Sequence, residues 1–399
     1  MPKHTSHSDV CIVGNGAVGK AAALGFSQAG LRVSLLSPAP MAAAAARPEE
    51  WDVRVYALNH VAQRLLSGLK VWGALDAERV APVEAMQVYG DGSGTAGKLN
   101  FDAYGAHADT LAWIVEDRNL NQALDSALKF AQNVSIVSGR AIGLAVDASQ
   151  ASVQLENGDG LSASLVVGAD GAQSWVRGQC DIGLDYRSYG QQGVVSNFAC
   201  EKPHNGVAYQ WFDEEHGIIA LLPLPGQRVS LVWSAPDALA QQLLREPLAS
   251  LAQRLAAYCA QQLGALTPLQ PELARAFPLN LVRPHAMTAP RVALIGDAAH
   301  VVHPLAGHGM NLGFADVRSL LDTVMQREEH RDCGDARVLG RYARARKEEV
   351  LLMQLTTDGL ARMFGTDLEP VRLARKLGLN LLDHLPVLKR KLISHAMGK

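Results

Sequence analysis

The hydrophobic pattern at the start of the chain predicts a strand, a helix and a second strand. Apolar runs at 9–13 and 31–36 have the length and composition of buried strands. Between them, small and apolar residues recur at helical spacing until Gly30, a residue type that commonly ends helices. This succession is typical of an α/β protein.

A related pattern returns near residue 300. Residues 292–295 form an apolar run that predicts a buried strand, and a loop rich in Gly, His and Pro follows it. From about Gly309 onward, Met310, Phe314 and Val317 recur at steps of three and four residues, which predicts a helix.

The rest of the pattern predicts mixed structure. Short apolar runs predict strands at 86–90, 98–101, 134–137, 143–146, 152–155, 164–167 and 277–282. Runs bounded by turn residues predict a separate antiparallel sheet from 194–199, 207–212, 217–222 and 229–233. Helices are expected from Asp52 to about Leu69, from Glu116 to about Ala131, over 236–263 and over 335–399.

Composition narrows the class of protein. The 399 residues are 48% hydrophobic and 19% charged, which indicates a globular protein. The net charge is −2, which excludes nucleic acid as an electrostatic partner. The five cysteines are scattered without a CxxC pair, so we expect neither disulfides nor a metal site. The polar first ten residues and the absence of any run of 18 apolar residues favour a cytoplasmic protein.

The first candidate for chemistry is Gly14-Asn15-Gly16-Ala17-Val18-Gly19, which follows the first strand directly. This GxGxxG spacing is the dinucleotide fingerprint: the glycines allow a tight turn, close approach of a pyrophosphate and helix–strand packing. The alternative interpretation of this segment is a glycine-rich turn that binds no ligand. Ser37 stands where an acidic residue usually binds the adenosine ribose, so we expect weaker adenosine binding.

Two further loops have related features. Asp170 and Asp297 each follow a strand and a Gly, where a carboxylate either accepts hydrogen bonds from sugar hydroxyls or caps the next helix. Gly307 and Gly309 would let the backbone approach a flat ligand closely. Arg54 is either a contact to a phosphate or flavin edge or a solvated surface residue.

These three loops, in this order, resemble those of the single-component FAD-dependent aromatic hydroxylases. "RVYALN" at 54–59, "ALLPLP" at 220–225 and HPLAGHGMNLG followed by Asp316 are most similar to the ubiquinone-biosynthesis hydroxylases, and the resemblance covers nearly the whole chain. It implies a mixed α/β (α+β) fold in which a Rossmann-like FAD-binding domain carries an inserted antiparallel substrate domain and a helical C-terminus. The expected boundaries are 1–85, 105–178 and 285–330 for the FAD-binding domain, 86–104 and 179–284 for the substrate domain, and 331–399 for the helical region.

The resemblance also implies roles for single residues. Asp297 would bind the ribityl chain, and the loop of Asp170 and Gly171 would serve both FAD and NAD(P)H. The full cofactor set that it implies is Gly14, Gly16, Ala17, Val18, Gly19, Ser37, Arg54, Asp170, Gly171, Asp297, Pro304, Gly307, Gly309, Met310 and Asn311.

Candidates for catalysis lie in the third loop and are His303, Pro304 and His308. His308 stands where Gln is usual in the family, so it either tunes the flavin charge or replaces Gln sterically. His300 and Tyr209 are further candidates for a base, each with a structural alternative.

By resemblance, the protein is expected to use NAD(P)H, O₂ and a flavin hydroperoxide to hydroxylate a polyprenylated phenol or quinol on the route to ubiquinone. The alternatives are a hydroxylase of a soluble phenol and a non-catalytic component of a biosynthetic complex. Residues 371–399 hold seven Lys or Arg and one Asp among regularly spaced leucines. This pattern is typical either of a helix on an anionic membrane face or in a complex, or of an ordinary packing helix.

Overall fold

The computed structural model describes residues 5–38, 50–90, 98–106, 108–270, 274–303 and 308–364. The strands are β1 (Thr5–Val13), β2 (Val33–Ser37), β3 (Val55–Leu58), β4 (Val80–Val83), β5 (Ala85–Tyr89), β6 (Lys98–Asp102), β7 (Ala112–Glu116), β8 (Val134–Ser138), β9 (Ala141–Val146), β10 (Ala151–Leu155), β11 (Gly160–Gly168), β12 (Leu184–Cys200), β13 (Val207–Asp213), β14 (Gly217–Leu224), β15 (Arg228–Pro236), β16 (Leu266–Pro268), β17 (Arg275–Pro284), β18 (Thr288–Ala289) and β19 (Val292–Leu294). The helices are α1 (Ala17–Gln28), α2 (His60–Gly68), α3 (Asp117–Leu128), α4 (Trp175–Gln179), α5 (Asp237–Arg245), α6 (Leu248–Leu263), α7 (His308–Met325) and α8 (Ala336–Phe364).

The first sheet has the order β18-β19-β11-β1-β2-β8, and its strands from β19 to β8 run parallel. All five residues of β2 are buried, as expected for a parallel strand covered on both faces. On one face, α1, α3 and α7 form a core around Phe26, Leu35 and Phe314. The strands β9 and β10 extend the sheet antiparallel, and a turn at 157–158 joins β10 to β11.

The second sheet has the order β16-β12-β15-β14-β13-β5-β6, with β17 beside β12. Its central strands are antiparallel, and the early strands β5 and β6 join it through a parallel contact between β5 and β13. Helices α5 and α6 cover one face and bury Phe198, Trp211 and Trp233. The mixed α/β fold with an antiparallel second sheet is confirmed, whereas the predicted domain boundaries remain a prediction.

The prediction of a helix beginning at Asp52 is wrong. Residues Val55–Leu58 form β3, which pairs antiparallel with β7 in a small third sheet of order β3-β7-β4. The helix begins only at His60, because Asn59 caps it by accepting a hydrogen bond from the Ala62 amide at 3.0 Å. Pairing with a strand about 60 residues later is a tertiary effect that local spacing does not contain.

Several other expectations concern absences or the end of the chain. All five cysteines are free thiols, and the described ranges hold no group of three His, Cys, Asp or Glu able to bind a metal. None of the described helices is both long and apolar enough to cross a membrane. The basic segment 371–399 lies outside the described residues.

Candidate functional site

Three loops meet at one edge of the parallel sheet. In β1, β11 and β19, Val13 lies opposite Gly168, and Gly168 lies opposite Leu294, so all three strands end at the same level. Backbone hydrogen bonds fix this arrangement: the Ala169 amide donates to Val13 at 2.8 Å and the Ile295 amide to Gly168 at 2.9 Å. The carboxyl edge of a parallel sheet is where ligands bind in such folds.

The glycines of the first loop serve two purposes. Gly14 has a φ of +116°, and a Cβ there would collide with the carbonyl of Ala169. A Cβ on Gly19 would collide with the carbonyl of Gly14, so these two glycines are required by the protein itself. A Cβ on Gly16 would meet no atom within 4 Å, although Gly16 stands at the N-terminus of α1. The open side of Gly16 therefore leaves room for a ligand at a helix N-terminus.

The first and third loops also touch each other. The side chain of Val18 packs over Gly296, and a Cβ added to Gly313 would lie 2.8 Å from it. Ala17, beside Val18, is buried in the core under α1. Small residues thus let the start of α1 approach the turn before Asp297, which brings the two predicted cofactor loops together.

Asp297 and Arg54 lie near enough for their opposite charges to act on each other. Both side chains are exposed, but protein atoms surround them on several sides, as in a concave site. These surroundings raise the pKa of Asp297, and the nearby charges of His300 and Arg54 partly oppose that effect. The guanidinium of Arg54 lies 5.6 Å from the ring centre of Tyr56 on β3. An exposed carboxylate and an exposed guanidinium are thus available to a ligand at this edge of the sheet.

The second loop is held by its own side chains. The Asp170 carboxylate accepts from the Ser174 hydroxyl at 2.6 Å and from the Val176 amide at 3.0 Å, so it supports the start of α4, whose N-cap is Ser174. Arg177 is buried and donates to the carbonyls of Ala172 at 2.8 Å and Ala298 at 3.0 Å. Arg177 therefore joins the second loop to the third, and Gly171 forms the turn within the second loop with a φ of +83°.

The start of α7 is anchored by Asn311. Its side-chain nitrogen Nδ2 donates to the Ala57 carbonyl at 2.8 Å, and its side-chain oxygen Oδ1 accepts from the backbone N–H of Asn59 at 2.9 Å. Gly309 has open space where a Cβ would stand, and Met310 packs partly against the core. Pro304, Gly307 and the side chain of His308 lie outside the described residues.

A buried charge network underlies the third loop. The Asp316 carboxylate on α7 accepts from His300 Nε2 at 2.6 Å, from Arg346 Nε at 2.7 Å and from the Gly296 amide at 2.9 Å. His300, Asp316 and Arg346 are 1%, 0% and 3% exposed. Burial opposes charge on Asp316, but His300 and Arg346 outweigh it and lower the pKa of this carboxyl. The network fixes the backbone on both sides of Asp297.

His303 lies at the contact between the third loop and the second sheet. It is fully buried, its Nε2 lies 3.2 Å from Gln191 Oε1 on β12, and burial lowers its pKa to about 4. Tyr209, in contrast, is stacked on Trp211 in the core under α5 and α6. Ser37 is buried at the end of β2.

Sequence reasoning missed Arg177, Gln191 and Arg346. Arg346 lies in a stretch rich in charged residues, RYARARKEE, which is typical of a solvated helix face. Arg177 follows Asp170 by seven residues and Asp316 follows the third loop, but no local pattern showed that these two side chains are buried.

Comparison with known proteins defines the class. The FAD binding domain family matches residues 7–351. The chain is 35% identical over 398 residues to 3-demethoxyubiquinol 3-hydroxylase of Escherichia coli K12, and the match covers 98% of both proteins. It is 34% identical over 396 residues to ubiquinone hydroxylase UbiL of Rhodospirillum rubrum, covering 98% of this chain and 90% of that protein. The structure of p-nitrophenol 4-monooxygenase PnpA from Pseudomonas putida superposes with a TM-score of 0.78 at 18% identity, covering 99% of this chain and 98% of that one, which shows a shared fold.

The chain therefore belongs to the FAD binding domain family. It is an FAD-dependent hydroxylase, and the predicted resemblance to the ubiquinone-biosynthesis hydroxylases is confirmed. The described residues fit FAD, because Gly16 leaves open the N-terminus of α1, where backbone N–H groups favour a pyrophosphate.

Proposed function

We propose that this protein hydroxylates the aromatic ring of a polyprenylated phenol or quinol intermediate of ubiquinone biosynthesis, with FAD as cofactor and NAD(P)H and O₂ as co-substrates. One observation carries the proposal. Three loops meet at one edge of the parallel sheet, where Gly16 is left open, in a chain that is 35% identical over 98% of its length to 3-demethoxyubiquinol 3-hydroxylase.

FAD would lie along the edge that the three loops form. The amides around Gly16 and the N-terminus of α1 would hold the pyrophosphate, and the exposed Asp297 would accept hydrogen bonds from ribityl hydroxyls. Arg54 would lie along the cofactor, opposite Asp297. The complete proposed set is Gly14, Gly16, Ala17, Val18, Gly19, Ser37, Arg54, Asp170, Gly171, Asp297, Pro304, Gly307, Gly309, Met310 and Asn311.

The third loop would support the charge of the cofactor. When bound and reduced by NAD(P)H, FAD supplies the activation of O₂. The N-terminus of α7, beginning at His308, is the positive end of a helix dipole, which favours a negative flavin by about 0.3–1 kcal/mol, or about 2 kcal/mol where partly buried. His303, Pro304 and His308 are the proposed catalytic residues because they lead into this helix.

NAD(P)H is proposed to bind transiently near Asp170 and Gly171. In the part of the chain that the structure describes, one parallel sheet carries a glycine-rich turn, and the proposed FAD site occupies that turn. A transient co-substrate fits this arrangement better than a second nucleotide-binding fold.

The second sheet would wall off the substrate from water, which hydroxylation requires. A polyprenyl chain is strongly apolar, so we propose that the enzyme works in the cytoplasm at the inner membrane face or within a biosynthetic complex. The basic segment 371–399 supports this by its sequence pattern alone.

Two measurements test the function together. In cells lacking the protein, mass spectrometry should show loss of ubiquinone and accumulation of a prenylated precursor that is one oxygen short. With purified FAD-loaded enzyme, phenols of increasing prenyl length should stimulate NAD(P)H oxidation increasingly and yield a product heavier by one oxygen. Normal ubiquinone levels together with activity independent of prenyl length would instead identify a soluble phenol as substrate. Protein purified without flavin, and inert after FAD addition, would contradict enzymatic function.

A further inference from the structure

A polar site lies where β12 crosses the third loop. Ser188 of β12 pairs with Asn280 of β17, and Gln192 of β12 pairs with Pro278. Four residue positions along β12 therefore match two along β17, which makes a bulge in β12. Gly190, in the middle of this bulge, has a φ of +66°. Bulges re-aim side chains and are frequent beside active sites. Here the bulge directs Tyr189 and Gln191 toward His303.

Tyr189 and His303 are in direct contact. Their ring centres are 4.9 Å apart and their planes meet at 86°. The Tyr189 hydroxyl and His303 Nδ1 are both buried, and neither has a hydrogen-bond partner among the described residues. Arg187 lies over the Tyr189 ring at 5.0 Å and near its hydroxyl, but without the geometry of a hydrogen bond. Because buried polar groups are almost always paired, two adjacent ones mark a ligand-binding position.

The hydrogen-bonding character of each group follows from its neighbours. Gln191 Oε1 is an acceptor, so His303 Nε2 carries the proton and Nδ1 presents a lone pair. Burial lowers the pKa of His303 to about 4, which keeps this ring neutral at neutral pH. Burial also raises the pKa of Tyr189, although Arg187 partly opposes it, so the hydroxyl keeps its proton and can donate. The two rings in contact therefore present one donor, the Tyr189 hydroxyl, and one acceptor, His303 Nδ1.

We propose that Tyr189 and His303 bind a ring hydroxyl of the aromatic substrate: Tyr189 donates to the hydroxyl oxygen, and His303 Nδ1 accepts from its O–H group. This inference rests on the proposed function and names the part of the substrate that the enzyme recognises. His303 is six residues after Asp297 in the same loop, so the hydroxyl would be held beside the cofactor edge. A phenol that donates such a hydrogen bond has a more electron-rich ring, and its orientation decides which carbon faces the flavin. Gln191 is a positioning residue, since it sets the tautomer of His303.

The test compares a prenylated phenol with its O-methyl ether on the FAD-loaded enzyme. The probes are 2-(3-methylbut-2-enyl)phenol and its methyl ether, and binding is followed through the flavin absorbance. The wild-type enzyme should bind the phenol about tenfold more tightly than the ether, the effect of the one buried hydrogen bond that the ether cannot donate. His303→Leu removes the acceptor that only the phenol can use, so it should reduce this preference to about twofold or less, with FAD content as the check of folding. Tyr189→Phe removes a donor that the oxygen of either probe can use, so it should weaken the binding of phenol and ether alike by about three- to tenfold.

The control is Tyr186→Phe on the same strand. Tyr186 is exposed and donates to Asn280 at 3.0 Å, so this variant should keep the full preference. Equal binding of phenol and ether by the wild type, an unchanged preference in His303→Leu, or unchanged binding of both probes by Tyr189→Phe would overturn the inference while leaving the hydroxylase function intact. Binding of neither probe, with no NAD(P)H oxidation, would refute the proposed function and this inference with it.

Discussion

His300 and Asp316 are 16 residues apart in the chain, and their side chains meet at 2.6 Å in the protein interior. The same carboxylate accepts from the amide of Gly296, directly before the exposed Asp297. The end of β19, the third loop and the middle of α7 are thereby held together by the carboxylate of Asp316. Arg346 adds α8 to this arrangement. The position of the exposed Asp297 thus depends on a network of buried residues.

Loss of the Asp316 charge should destabilise the fold. Asp316→Asn leaves buried cations without their common partner, so we expect a loss of about 3–5 kcal/mol in the free energy of unfolding, measured with urea. The matched control is Asp322→Asn on the same helix, since Asp322 is 63% exposed in a pair with Arg318 at 3.8 Å. The control should change stability by less than about 0.5 kcal/mol. Equal effects of the two substitutions would refute the role of the buried network.

The network should also make stability depend on pH. Burial disfavours the charged form of His300, but the Asp316 carboxylate and its hydrogen bond outweigh burial and raise the pKa of His300 above 6.5. A raised folded pKa means that the contribution of His300 is complete below about pH 6.5 and disappears as the pH rises through the folded value. Asp316, with a lowered pKa, contributes above about pH 3.8 and loses its contribution below that.

We therefore expect the stability difference between wild type and His300→Asn to shrink as the pH rises from 6 to 9. Urea unfolding at one-unit intervals of pH measures this difference directly. A difference that stays constant, or grows, over that range would show that His300 is not charged in the folded protein.

Gly16 and Gly14 should fail in different ways when replaced by Ala. Gly16→Ala meets no protein atom and keeps a φ of −68°, so the protein should fold normally but bind FAD at least about tenfold more weakly. Gly14→Ala places a side chain at φ +116° against the Ala169 carbonyl, so the fold itself should lose about 1–3 kcal/mol or more. The measurements are the flavin-to-protein absorbance ratio and unfolding of the FAD-free protein. Gly68→Ala, also in open space but at the end of α2, should affect neither, and retention of FAD by Gly16→Ala would contradict the proposed pyrophosphate site.

Asp297→Ala should abolish FAD retention and leave the fold intact. Asp297 is exposed, and its carboxylate makes no side-chain hydrogen bond within the described ranges, so its removal costs little packing. Flavin content after gel filtration measures retention, and circular dichroism measures folding. For comparison, Asp170→Ala removes the acceptor of two hydrogen bonds at the start of α4 and should lower stability by about 0.5–1.5 kcal/mol per bond. Full flavin occupancy in Asp297→Ala would remove this residue from the proposed site.

The sequence by itself determined the class of fold, because short-range patterns carry that information. Alternating apolar runs and a GxGxxG turn at 14–19 specify strand, turn and helix within a few residues. The three motif loops were identifiable for the same reason: each needs particular residue types at fixed local spacing. The family resemblance followed from their order along the chain.

Only the tertiary structure decided which residues support these loops. Val55–Leu58 forms a strand because β7 pairs with it. Arg346 lies in a charged stretch that is typical of a solvated helix face, but it is buried because α8 packs on α7. Gln191 met His303 across 112 residues through a bulge in β12. Such contacts join distant segments, and their energies depend on burial and on partners that local spacing does not reveal.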